Sequence, residues 1–73
     1  MSREMADIAI PTFLKCIRER LEQASSIAKA AEACAQAGNP EKGVEVVLEV
    51  EQLIYEANTL LNGASLINRC AKA

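Results

Sequence analysis

Three residues near the middle of the chain, Gly38, Asn39 and Pro40, interrupt a heptad-like apolar pattern that otherwise runs from Leu14 to Ala71. Glycine suits the left-handed position that ends a helix, asparagine caps the next one, and proline fits its first turn, where the missing N–H costs nothing. A connection this short forces the flanking helices to lie antiparallel. The expected fold is therefore all-α, an antiparallel two-helix hairpin.

Before the turn, Leu14, Ile17, Leu21, Ala24, Ala28, Ala31, Ala35 and Gly38 recur at spacings of three and four. The residues between them are good helix formers, which predicts a first helix over about 12–37. Pro11 fits the first turn of that helix and biases Ile10 towards an extended conformation, so residues 1–10 are expected as an arm or separate short helix. After the turn, Val46, Val50, Leu53, Ala57, Leu60, Ala64, Ile67 and Ala71 form a second seam, predicting a helix over about 40–71. Gly63 inside it costs about 1 kcal/mol relative to alanine and marks a possible break, but the heptad keeps phase across it and favours continuity.

Folding the two seams about Asn39 sets Ala31 against Val47, Ala28 against Val50, Ala24 against Leu53 or Ile54, Leu21 against Ala57, Ile17 against Leu60 or Leu61, and Leu14 against Ala64. Small meets large at nearly every layer, as close packing requires.

Seventy-three residues make a single domain, 1–73, too small for a deep enzymatic cleft. There is no histidine, so the commonest general base and metal ligand is missing, and no nucleophile–base pair or glycine-rich phosphate loop can be assembled. The reading is not an enzyme, with no metal and no cofactor. Eight basic against ten acidic residues, net −2, point away from direct contact with nucleic acid. No apolar run resembles a leader or membrane span, which suggests a soluble cytoplasmic protein with no membrane contact. Cys16, Cys34 and Cys70 have neither the count nor the spacing of a disulfide framework or zinc site and are expected as buried small hydrophobes.

The first helix has one apolar arc and a polar face of Lys15, Arg18, Glu22, Ser25, Lys29, Glu32 and Gln36. The second has an extra apolar row, Val44, Leu48, Tyr55 and Leu66, nearly opposite its seam. Burying a leucine contributes about 1.5 to 3 kcal/mol, so a two-helix protein is expected to cover such a row. The N-terminal arm is too short to reach from Leu66 to Val44, which leaves a second copy of the chain or another protein. A homodimer forming a four-helix bundle around Tyr55 accounts for the whole row.

Charge is also uneven. The open end of the hairpin holds Arg3, Lys15, Arg18, Arg20, Arg69 and Lys72 against Glu4, Asp7, Glu19 and Glu22, a net of +2. The rest holds Glu32, Glu41, Glu45, Glu49, Glu51 and Glu56 against Lys29 and Lys42, a net of −4. Glu41, Glu45 and Glu49 stand a turn apart, and with Glu56 they read either as a solvated face or as an acidic stripe that docks a basic surface on a partner. Glu45, Glu49, Gln52 and Glu56 resemble the carboxylates of a di-metal bundle only superficially, since that motif needs Glu-x-x-His pairs.

Asn58, Asn62, Ser65 and Asn68 draw a polar line beside the second seam. With Phe13 as a stacking ring and Arg18, Arg20, Arg69 and Lys72 at the open end, they offer an alternative role in binding a small anionic, nucleotide-like ligand. The principal expectation is a non-enzymatic protein-binding adaptor or inhibitor, acting as a homodimer through Val44, Leu48, Tyr55 and Leu66 and the acidic stripe.

Overall fold

The computed structural model describes residues 2–72, which form an antiparallel helical hairpin with one bent arm and no strand among them. Helix α1 spans Arg3–Gln36, α2 spans Pro40–Val47 and α3 spans Val50–Lys72. The molecule is a rod of 54 × 14 × 11 Å.

The turn follows the sequence reading. Gly38 adopts φ +95°, its N–H donates to the Ala35 carbonyl at 3.0 Å, and the Asn39 N–H reaches back to the Cys34 carbonyl at 3.0 Å. This is the bonding pattern of a Schellman motif, which satisfies carbonyls left open at the end of α1. The Asn39 side chain then accepts from the Lys42 N–H at 3.2 Å, with Pro40 in the first position of α2.

The N-terminal segment differs from expectation. Residues 3–10 are neither an arm nor a separate helix; they are the first turns of α1, and Pro11 sits inside it. Ser2 caps the helix by accepting the Met5 N–H at 3.2 Å, and Glu4 adds a favourable charge to the first turn. Tertiary packing overrides the proline: Ala6 is completely buried, Ile10 is half-buried, and Arg3 donates across to Asn68 at 3.4 Å.

The second arm is also not one unbroken helix. It stays helical through Gly63 and bends instead at Leu48 and Glu49. There the Glu49 N–H donates to Val46 and the Glu51 N–H to Leu48, both at 3.2 Å, so the ladder tightens from four-residue to three-residue spacing. Val44, Val46, Val47 and Val50 bracket the bend, and β-branched side chains lose rotamer freedom in a helix, which weakens it there.

The seam of the second arm is the expected one. Ala57 and Ala64 are buried, and Val46, Val50, Leu53, Leu60, Ile67 and Ala71 are half-buried. On α1 only the central row, Ile17, Ala24 and Ala31, faces inward as expected. Leu14, Leu21, Ala28 and Ala35 are exposed, and their places are taken by Phe13, Arg20, Ile27 and Cys34. The helix is rotated about its axis so that the row on the other side of the alanines leans in.

Two glycines explain the choice. A Cβ on Gly63 would lie 2.7 Å from Cε2 of Phe13, so the ring occupies the place a side chain would take. A Cβ on Gly43 would lie 2.8 Å from the Ala31 carbonyl oxygen, which brings α2 into backbone contact with α1. With Phe13 level with Gly63 and Arg20 level with Glu56, the arms register half a turn away from the expected alignment, which set Arg20 level with Asn58.

Candidate functional site

The buried apolar residues are Ala6, Ala24, Ala31, Ala57 and Ala64, and no large side chain is fully buried among the described residues. Alanine has little area to remove from water, and many of the large apolar side chains remain exposed. They are distributed over the outer edge of α2 and α3 and one broad face of the hairpin.

The outer edge carries Val44, Leu48, Tyr55 and Leu66, at 59, 60, 66 and 54 % exposure. None of the four is covered by α1. The N-terminal segment does not cover them either, because it extends α1 and keeps its own Met5 and Ile8 exposed. Glu41 and Glu45 flank this edge on α2, where Lys42 pairs with Glu45 at 3.6 Å, and Glu49 lies in the bend. Glu56 does not belong with them. It leans over the seam and accepts from Arg20 at 3.3 Å and Gln52 at 3.2 Å.

The two broad faces differ in chemistry. On the front, Ile17, Leu21, Ile54, Ala57, Asn58 and Leu61 line an open groove of about 250 Å³, and Leu14 continues the Leu21 row one heptad earlier. On the back, the Arg20–Glu56 pair crosses the groove between the arms beside Tyr55, Thr59 and Leu60. The front is thus almost wholly apolar, and the back is spanned by an ion pair.

The basic residues of the open end do not converge. Arg18 pairs along its own helix with Glu22 at 2.7 Å, and that hydrogen bond, followed by the charge of Glu22, holds its guanidinium above the ordinary arginine value. Arg20 faces the seam. Arg69 and Lys72 lie on the last turns of α3, more than ten residues further along the rod, roughly 15 Å at 1.5 Å per residue. Phe13 is occupied against Gly63, and Asn68 accepts from Arg3.

No disulfide joins the cysteines: Cys16 and Cys34 are half-buried, while Cys70 is exposed rather than buried as expected. Among the described residues, no group of three potential ligands is placed to hold a metal ion, and no helix is long and apolar enough to cross a membrane. Sequence reasoning missed the Leu14–Leu21–Ile54–Leu61 face by assigning its leucines to the seam. The signal was present as a third apolar row beside the alanines of α1. Comparison with known proteins finds no match to a family model, a curated protein or a solved structure.

Proposed function

We propose that this chain is a non-enzymatic protein-binding module, an adaptor or inhibitor whose working unit is a homodimer and which covers a surface on a partner protein. The observation that carries this reading is the outer edge of α2 and α3. Val44, Leu48, Tyr55 and Leu66 are each more than half exposed along one side of a hairpin in which no large side chain is fully buried among the described residues. Tyrosine supplies broad, rigid contact area and is enriched at interface hot spots. Glu41, Glu45 and Glu49 beside the row favour a partner with a basic rim and would steer its approach.

The test is a binding series on one partner protein from the native source, identified by cross-linking and repeated with purified components. Leu48→Asp and Tyr55→Ala are expected to weaken binding at least tenfold while leaving helicity intact, since aspartate would carry an unpaired charge into an apolar contact. Unchanged affinity in both variants would show that this edge is not the binding surface.

A further inference from the structure

We infer that the apolar front face, Leu14, Leu21, Ile54 and Leu61, is covered by a second copy of the chain packed face to face and antiparallel, with the two-fold axis passing the level of Leu21 and Ile54. The inference rests on the homodimer just proposed and gives it a face and an orientation. It also moves the dimer contact away from the Val44, Leu48, Tyr55 and Leu66 edge, which stays open for the partner.

The first support is area. A folded monomer of 7.9 kDa is expected to expose about 4,400 Å², whereas this chain exposes 5292 Å². The excess, about 900 Å², is close to the roughly 800 Å² that each partner contributes to a standard interface. The radius of gyration agrees, at 16.7 Å against about 11 Å for a compact chain of this length. One half of a four-helix bundle has this elongated, under-buried character.

The second support is the difference between the two faces. Covering the back would bury the Arg20–Glu56 pair, whose side chains are now 36 and 39 % exposed, and would strip water from two charges. Covering the front removes water from Leu14, Leu21, Ile54 and Leu61, each 52 to 56 % exposed, and from no charged group lining the groove.

The third support is self-complementarity. A two-fold axis lying in the interface across the rod, level with Leu21 and Ile54, sets α1 against α1 and α3 against α3 in opposite directions. Leu21 then meets its own copy and so does Ile54. Seven residues to either side, Leu14 meets Ala28, large against small, and Leu61 lies level with the end of α2 across the bend. The axis falls close to the middle of α1, Arg3–Gln36, so the two rods overlap along nearly their full length. Charge selects the same orientation. The open end, net +2, lies beside the turn end of the other copy, where Glu32, Glu41 and Glu45 stand, whereas a parallel arrangement would stack like ends together.

The experiment uses the full chain. Light scattering of the wild type over a wide concentration range is expected to show twice the 7.9 kDa chain mass; a monomer throughout would remove both this inference and the homodimer of the proposed function. Single cysteines are then introduced with the native ones replaced by alanine (C16A/C34A/C70A), each variant checked for helicity and mass. Leu21→Cys and Ile54→Cys are each expected to form an intermolecular disulfide with themselves under mild oxidation, and Tyr55→Cys to remain largely unlinked. If Leu21→Cys fails to fold, Ile54→Cys carries the same test. A dimer that links through Tyr55→Cys instead, or only in a mixture of Leu21→Cys with Ile54→Cys, would overturn the assigned face or its orientation while leaving the homodimer standing.

Discussion

Gly63 does two opposing things within one helix. It lowers the intrinsic stability of α3 by about 1 kcal/mol relative to alanine, and it makes room for Phe13, the only phenylalanine in the chain. Overpacking a well-filled site costs about 1 to 3 kcal/mol, so Gly63→Ala is expected to destabilise the protein by about 1 kcal/mol net. In a Phe13→Ala background the same change should become stabilising, because only the propensity term remains. Denaturation midpoints of the four proteins form a double-mutant cycle, and additive effects would show that ring and glycine do not interact. The sequence shows Gly63 only as a helix defect, since what fills the gap belongs to residue 13. Arg20 was hidden for a similar reason. A charged residue argues against a seam position until its partner, Glu56, is seen 36 residues away at 3.3 Å.

Pro11 carries the chief lesson among the elements. Its side chain is exposed and the helix passes through it, so the segment before it is held by Ala6, Ile10 and the Ser2 cap against the propensity of its own backbone. Pro11→Ala restores a backbone donor towards the Asp7 carbonyl and removes a ring clash while giving up little packing. The expected gain is about 1 to 3 kcal/mol, read as a higher denaturant midpoint with undiminished helicity. No gain would indicate that residues 3–10 leave the helix in solution. The second arm was legible almost throughout, because its seam has one dominant row in which large and small residues alternate. The bend at Leu48 and Glu49 was not, because neither glycine nor proline marks it and a run of β-branched residues lowers helix stability only by increments. The rotation of α1 was not legible either, because the central row is flanked on one side by Leu14, Leu21, Ala28 and Ala35 and on the other by Phe13, Arg20, Ile27 and Cys34, and a heptad pattern does not say which flank turns inward.

For the whole molecule, the decisive fact is that, among the described residues, the buried apolar side chains are all alanines. A hairpin whose buried apolar residues are alanines, with its larger seam residues only half-buried, falls short of the hydrophobic stabilisation that a small domain needs, so much of its stability is expected to come from association. The midpoint of thermal unfolding should therefore rise with protein concentration, by several degrees over a hundredfold range, as mass action requires when folding and dimerisation are linked. A concentration-independent midpoint would assign the stability to the single hairpin. The all-α hairpin itself could be read from a few residues around Gly38, because the turn is closed by bonds that its own sequence supplies. That local closure bears on how the protein comes to be folded. The turn, with its Schellman bonds and its Asn39 cap, brings together residues no more than five apart, so it can form before any long-range contact exists. From there the arms can meet progressively outward, through pairs whose separation along the chain grows steadily towards Ala6 and the end of α3. The start of α1 and the end of α3, farthest from the turn, are then the last to dock and the first to fray, and the hairpin is fastened like a zip whose slider starts at Gly38.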